Sequence, residues 1–130
     1  MPEDELRKLS CPKCDAPMRR VQFDQVEVDR CMQCGGIWFD RNELDDLRRA
    51  QGAEVIDTGD ARVGAALDAQ THVPCPVCAV PMNRVPDEHK PHIWHERCPS
   101  CQGWFLDAGE FRDLKSSDLF DLFDRLLERR

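Results

Sequence analysis

The chain has little apolar bulk: it contains no tyrosine, six phenylalanines and three tryptophans, and its 41% hydrophobic fraction includes eight cysteines. A single large core is therefore not expected from these 130 residues. Domains shorter than roughly 40 to 60 residues usually need a metal, disulfides or a partner to be stable. We expect the cysteines to supply the stabilisation that the apolar side chains cannot.

The sequence also has no excess of positive charge. Its formal net charge is -7, and thiolates bound to metal would make the protein more negative still. Loose binding to phosphate backbones depends on Lys and Arg. The charge balance therefore favours protein partners and makes nucleic acid an unlikely one.

A long apolar run is missing as well. No stretch approaches the roughly 20 residues that span a bilayer, and residues 1–5 are acidic and polar, without the form of a signal peptide. We therefore expect a cytoplasmic protein that makes no membrane contact. Thiols stay reduced in the cytosol, so eight cysteines there indicate metal ligands rather than disulfides.

Two segments of the chain repeat one pattern. Residues 11–18 match residues 75–82, and residues 31–40 match residues 98–107. The second copy has three extra residues between its cysteine pairs, at the expected tip of a hairpin, where insertions are tolerated best. The repeat predicts a duplicated fold.

The cysteine spacing predicts two zinc sites. It is Cys-x₂-Cys-x₁₆-Cys-x₂-Cys in the first copy and Cys-x₂-Cys-x₁₉-Cys-x₂-Cys in the second. Two Cys-x-x-Cys turns can complete the tetrahedron of thiolates that zinc prefers. The predicted ligands are Cys11, Cys14, Cys31 and Cys34 for the first ion, and Cys75, Cys78, Cys98 and Cys101 for the second. A disulfide framework, a redox motif and an iron centre are weaker alternatives.

The residues around the cysteines predict a small metal-stabilised α+β fold. Residues 18–23 and 26–30 alternate apolar and polar side chains as two antiparallel strands do, and residues 82–85 and 92–97 take the same places in the second copy. Each unit is thus a zinc-bound β-hairpin followed by a short helix, that is, a zinc ribbon. We expect glycines after the second cysteine pair to supply positive φ angles; these are Gly35, Gly36 and Gly103.

The chain divides into four predicted parts. These are a first ribbon with its helix (1–50), a linker (51–73) with one short helix near 61–69, a second ribbon with its helix (74–115) and an amphipathic C-terminal helix (116–130). In the last part large apolar residues recur at helical spacing between acids and arginines. That helix could cover a ribbon, pair with a second chain as a homodimer, or bind a partner's groove.

The motifs resemble the transcription factor zinc-finger (zf-TFIIB) family of zinc ribbons. Its pattern runs CPxC, Met, CxxCGGxW, then Asp and Glu before Leu. The first copy matches it at Cys11-Pro12-x-Cys14, Met18, Cys31-x-x-Cys34-Gly35-Gly36-Ile37-Trp38, Asp40, Glu43 and Leu44. The second copy departs from it at Gln102, where the first Gly is expected, and in its longer hairpin. The resemblance implies the fold and the metal, but it implies no activity.

Several residues admit both a structural and a functional interpretation. We expect Trp38 and Trp104 to be core residues rather than docking residues. Asp40-x-x-Glu43 and Asp107-x-x-Glu110 have the spacing of capping boxes at helix starts, which is a better explanation than catalytic carboxylates. The histidines are expected to be solvated rather than metal ligands; they are His72, His89, His92 and His95. Arg19, Arg20 and Arg30 are expected on a solvated strand face rather than a nucleic-acid surface.

These observations favour a non-enzymatic protein-interaction adaptor or regulator built from two metal-bound knobs on a linker. Four thiolates leave no open coordination position for Lewis-acid chemistry. The alternatives are a nucleic-acid-binding regulator of transcription, and a metal-transfer or redox protein.

Overall fold

The computed structural model of the protein describes residues 9–70 and 72–115. Each half contains a hairpin, a third short strand and a helix, and two further helical segments lie between the halves. The elements are β1 (Met18–Phe23), β2 (Val26–Cys31), β3 (Ile37–Phe39), α1 (Glu43–Arg49), a 3₁₀ helix (Ala53–Ile56), α2 (Ala61–Asp68), β4 (Asn83–Pro86), β5 (Trp94–Arg97), β6 (Trp104–Leu106) and α3 (Glu110–Lys115). The predicted α+β fold of two zinc ribbons is confirmed. The helix predicted over 116–130 lies outside the described residues.

The first hairpin forms where its alternating sequence predicts it. β1 and β2 pair in register from Met18 opposite Cys31 to Phe23 opposite Val26. Asp24 turns the chain with a φ of 53°, a left-handed conformation that short polar side chains tolerate. The hairpin therefore delivers Cys31 at the end of β2, next to the turn that carries Cys34.

The two ribbons share one sheet. Its strand order is β1-β2-β3-β6-β5-β4, and β3 and β6, which hold equivalent positions in the two copies, pair antiparallel at its centre. Trp38 lies opposite Phe105, its own counterpart in the repeat. The expectation of two separate knobs on a linker is therefore wrong. Each ribbon has a third strand that the sequence did not predict, and the pairing of these two strands joins the ribbons.

Successive residues of β3 and β6 point to opposite faces of the sheet, as in any strand. Ile37, Phe39 and Leu106 lie in the core on the side of the helices, where the rings of Phe39 and Phe111 have centroids 5.3 Å apart. On the other face Trp38 and Phe105 pack among cysteines and methionines; these are Cys11, Met18, Cys31, Cys34, Cys75, Met82 and Cys98. Trp38 is thus a core residue as predicted, and Trp104 is partly buried.

The glycines of the zinc turns have two different roles. Gly35 has a φ of 81°, and Gln102 takes the same conformation at the equivalent place with a φ of 64°. Gly36 and Gly103 do not have positive φ, which corrects the sequence prediction. They make room for rings of the other ribbon: a Cβ on Gly36 would lie 2.3 Å from Phe105 Cζ, and one on Gly103 would lie 2.2 Å from Trp38 Cζ2.

A methyl group at position 103 is therefore expected to destabilise both ribbons. Trp38 is fully buried, so Gly103→Ala should lower the free energy of unfolding by about 1–3 kcal/mol, as overpacking does. Urea unfolding followed by circular dichroism would measure the loss. The double variant Gly103→Ala/Trp38→Phe is the control, because a smaller ring should recover part of the stability. Equal stabilities of Gly103→Ala and wild type would contradict the cross-ribbon contact.

The predicted linker packs as part of the body. Its helix α2 lies where the sequence places it. Asp57 is buried, and its carboxylate accepts hydrogen bonds from the backbone N–H groups of Gly109 and Arg112, both at 3.0 Å. Arg112 Nη1 and Nη2 donate in turn to the carbonyls of Asp57 and Gly59 at 2.6 and 2.9 Å. A residue of the linker therefore caps the first turn of α3.

The longer tip of the second hairpin also has a structural purpose. It carries Asp87, which is 3% exposed. The Asp87 carboxylate accepts hydrogen bonds from both Nη atoms of Arg48 on α1, at 2.7 and 3.1 Å. His95 Nε2 lies 3.0 Å from the same carboxylate. Burial raises the pKa of Asp87, but the contacts with His95 and Arg48 outweigh it and hold the pKa well below its usual range. The insertion thus ties the second ribbon to the helix of the first.

Candidate metal centres

The structure brings the eight cysteines together in the two predicted sets. Within each set the four Sγ atoms all lie within 4.8 Å of one another, and none of the eight forms a disulfide. The first two ligands of each set come from the turn before the hairpin, and the last two from the turn after it. The hairpin therefore closes each tetrahedron.

The distances between the sulfur atoms fit a tetrahedral zinc ion. Zn–S bonds near 2.3 Å place neighbouring thiolates about 3.8 Å apart. Cys11 and Cys34 have their Sγ atoms 3.7 Å apart, and Cys75 and Cys101 have theirs 3.8 Å apart. The Sγ atoms of Cys14 and Cys31 are closer than this, at 3.3 Å. All ligands are soft thiolates, the donor class that zinc accepts in structural sites.

Backbone N–H groups surround the cysteine sulfurs. Cys34 N donates to Cys31 Sγ at 3.3 Å, and Cys101 N donates to Cys98 Sγ at 3.4 Å. Cys78 N donates to Cys75 Sγ at 3.3 Å in the same way. Such bonds favour the charged thiolate, so the turns prepare the sulfurs for a cation.

One thiol in each quartet is especially acidic. The hydrogen bond from Cys11 lowers the pKa of Cys34 to about 5, against the effect of burial. Burial raises the pKa of Cys98, but the N–H groups of Cys101 and Ser100 outweigh it and the pKa falls to about 7. Metal ligands must be deprotonated, and these contacts favour the thiolate form of one cysteine in each set.

The comparisons with known proteins agree with this geometry. The family model described as "Transcription factor zinc-finger" matches residues 10–50 and 74–117, one match for each ribbon. The chain belongs to this family. No curated protein and no solved structure matches it.

Membership in the transcription factor zinc-finger family and two separate Cys₄ clusters together give two zinc ions per chain. The clusters that fit these ions are Cys11, Cys14, Cys31 and Cys34 for the first, and Cys75, Cys78, Cys98 and Cys101 for the second. Each ion contributes its binding free energy to folding. No helix in the described ranges has the length and apolar character needed to cross a membrane.

A buried lysine connects the first zinc turn of this family member to its second ribbon. Lys13 lies between two zinc ligands, yet its side chain is fully buried. Its Nζ lies 2.7 Å from Asp107 Oδ2, 2.9 Å from Glu96 Oε1 and 3.1 Å from the carbonyl of Leu67. Burial alone would lower the pKa of Lys13, but Asp107 and Glu96 raise it. The ammonium group therefore joins the first zinc turn, the central sheet and α2.

The sequence did not predict this lysine contact, and of the predicted capping boxes only the bond to the glutamate forms, since Asn42 is the N-cap of α1 and no side chain of the described residues caps it. Asp40 N donates to Glu43 Oε1 at 2.8 Å, and Asp107 N donates to Glu110 Oε1 at 2.7 Å, which is the returning bond of a capping box. The carboxylates of the two aspartates are used for other contacts: Asp40 accepts from the Trp38 indole N–H at 3.1 Å, and Asp107 binds Lys13. Only the pairing of distant strands brings Lys13 to Asp107.

The histidines divide into two groups. His72, His89 and His92 are exposed as expected, but His95 is 1% exposed and contacts Asp87. The expectation that all four are solvated is therefore wrong for His95, whose ring also meets that of Trp104 edge-on at 5.7 Å. Among the described residues, the clusters able to hold a metal contain no histidine.

Protonation of Glu110 is expected to stabilise the fold. Burial, together with the nearby charge of Asp107, raises its pKa from 4.5 to about 9. The folded state then holds a proton that the unfolded chain releases, so stability falls as pH rises from about 4.5 to 9. Glu110→Gln should match wild type near pH 5 and become the more stable protein toward pH 9. Urea midpoints across this range, with the exposed Glu54→Gln as control, would test it; a pH-independent difference would contradict it.

Proposed function

We propose that the protein is a non-enzymatic adaptor or regulator of the cytoplasm that binds protein partners through the outer surface of its zinc-bound body. Two observations support a structural rather than a chemical role for the metals. Four thiolates complete each coordination sphere, so no position is left for water or substrate. The cysteines of both sets also lie beside the shared sheet, in turns that pack on Trp38 and Phe105.

The observation that carries this proposal is an exposed groove, apolar at one end, beside the turn that carries Cys31 and Cys34. We call it the zinc-turn groove; it lies between that turn and the start of α2. Met32 is 65% and Val63 is 42% exposed, and both line a cavity of ≈ 360 Å³ whose other walls include the charged side chains of Arg19, Arg30 and Asp60. A neighbouring cavity of ≈ 550 Å³ continues it past Ala66 and Leu67. Adjoining apolar side chains around a concave surface are typical of a docking site for an apolar protein segment.

Of the three arginines expected on a solvated strand face, Arg19 is exposed and lines the groove, while Arg20 and Arg30 are half-buried and make contacts within the chain. Arg20 Nε lies 3.3 Å from Glu27 Oε2, and Arg30 Nη1 donates to the Ile56 carbonyl at 2.8 Å. Phosphate binding needs free cations on one face. The internal contacts therefore favour a protein partner over DNA or RNA.

Affinity capture with matched variants would test the proposal. The full, zinc-loaded chain is used as bait in a lysate of its own organism, next to Met32→Glu and Val63→Glu, and each captured protein is then titrated in purified form. Val55→Glu is the control, because Val55 is 65% exposed and lies outside the groove. Both groove variants should lose the same directly binding protein, and Val55→Glu should retain it.

Two other outcomes would reject the adaptor hypothesis. Saturable, salt-sensitive binding of DNA or RNA at micromolar affinity would favour the nucleic-acid regulator. Release of zinc to a mild chelator or to an acceptor protein without loss of the fold would favour metal transfer.

A further inference from the structure

A group of carboxylates outside the cysteine sites lies against a surface cavity. The cavity, of ≈ 270 Å³, is bounded by α2, the second hairpin and the start of α3, and both Asp68 and Glu110 line it. Asp107 lies behind them and is 2% exposed. One oxygen from each of these three carboxylates lies within 4.8 Å of the other two. We call these residues the acidic triad.

The charges around the triad do not balance. Glu96 is a further carboxylate beside it, 2% exposed, and the cations in contact with these four acids are Lys13 on Asp107 and Glu96, and Arg84 on Asp68 at 2.8 Å. With all four acids ionised, four negative groups would face two positive ones among the described residues. That difference equals the charge of one divalent cation.

Two oxygen atoms of the triad also have no hydrogen-bond partner among the described residues. Asp107 Oδ2 binds Lys13, but its Oδ1 is buried and unpartnered, in a side chain that is 1% exposed. Asp68 has the same arrangement, because Oδ2 accepts from Arg84 and Oδ1 is buried without a partner. An unpaired buried carboxylate oxygen is costly, and a cation would satisfy both atoms.

The electrostatics of the triad agree with an absent positive charge. Burial raises the pKa of Asp107 to about 7, even though Lys13 acts in the opposite direction. Burial and the neighbouring carboxylates likewise raise that of Glu110. Without a cation the site must hold protons at neutral pH, and a divalent ion would replace them.

We propose that Asp68, Asp107 and Glu110 bind one divalent cation of the oxygen-preferring class, such as Ca²⁺ or Mn²⁺. Two oxygens on one Ca²⁺ lie at most about 5 Å apart, since each bond is 2.3–2.6 Å, and the spacing of the triad falls within that limit. The open cavity supplies the entry path and the room for waters that complete the shell. The ion joins α2 to the turn between β6 and α3, and it is chemically distinct from the thiolate-bound zincs.

Titration of the zinc-loaded protein would test this site. Calorimetry with Mn²⁺ and Ca²⁺ measures stoichiometry, and Tb³⁺ emission sensitised by Trp94, which lines the same cavity, reports binding at that place. We expect one ion per chain and competition between Ca²⁺ and Tb³⁺. Asp68→Asn and Glu110→Gln should each weaken binding by about tenfold or more, and Glu54→Gln, an exposed acid outside the cavity, should not change it.

The controls separate loss of the site from loss of the fold. Each variant is checked for two zinc ions per chain and an unchanged circular dichroism spectrum. Asp68 is the safer variant, because its side chain is 34% exposed. A variant that keeps its zinc and its fold and loses the cation supports the proposal. Absence of saturable binding, or equal affinity in wild type, Asp68→Asn and Glu110→Gln, would overturn it and leave the triad as a proton-holding cluster.

Discussion

Replacement of Cys98 by serine is expected to unfold both ribbons, although it removes a ligand of the second zinc only. A structural zinc site supplies binding free energy of about 10 kcal/mol or more, and small domains are stable by only about 5–15 kcal/mol. The sheet then transmits the loss. β6 is one of the two neighbours of β3, and without it Trp38 loses the space that Gly103 provides and the neighbouring ring of Phe105.

The effect of Cys98→Ser on the first ribbon can be measured separately from its effect on the second. Metal analysis should show that the first zinc of Cys98→Ser is removed by a chelator concentration that leaves wild type loaded. Hydrogen exchange should show faster exchange at Ile37 and Phe39 on β3. Met32→Ser is the matched control, because Met32 lies in a zinc turn, is 65% exposed and is no ligand. If Cys98→Ser retained a tight zinc and normal protection in β3, the two ribbons would be independent.

Lys13→Met should be the most damaging substitution outside the cysteines. Methionine has a similar length but carries no charge, so Asp107 and Glu96 remain buried without their cation. Removal of one partner from a buried ion pair costs about 3–5 kcal/mol. The second ribbon has Val77 at the equivalent place in its zinc turn, 50% exposed, so only the first turn has this contact.

Urea unfolding of zinc-loaded protein would measure the effect of Lys13→Met. Val77→Met, the same residue placed at the equivalent position, should change stability by less than about 0.5 kcal/mol, as exposed substitutions usually do. The triple variant Lys13→Met/Glu96→Gln/Asp107→Asn should recover much of the loss, because it removes the unpaired charges as well. A loss below about 1 kcal/mol in Lys13→Met would mean that the ion pairs do not hold the ribbons together.

The parts of the fold encoded by local patterns could be predicted from the sequence. The spacing of Cys11, Cys14, Cys31 and Cys34 is sufficient to indicate a thiolate-bound zinc, because the ion requires a fixed number of ligands at a fixed distance. Alternation of side chains placed β1 and β2. The spacing of Asp107 and Glu110 located the start of α3.

The features that the sequence did not reveal depend on contacts between distant residues. β3 and β6 have three residues each, too few to show a period, and their pairing joins positions as far apart in the sequence as Trp38 and Phe105. Lys13 occupies a variable place in its motif and meets Glu96 only in the folded sheet. Asp68 gave no local signal of a cation site for the same reason, since its neighbours come from other elements.

The central pairing of β3 with β6 also bears on the origin of the molecule. Because the two strands are equivalent and antiparallel, with Trp38 opposite Phe105, the contact has the self-complementary form of an isologous dimer interface. A single-ribbon ancestor would expose the edge of its third strand, and such an edge pairs readily with a second copy. When the two ribbons are joined in one chain, the pairing of their third strands becomes intramolecular, and each strand meets the other at an effective concentration of the order of millimolar. One chain can also carry different residues in its two halves, and here Lys13 of the first half contacts Asp107 and Glu96 of the second.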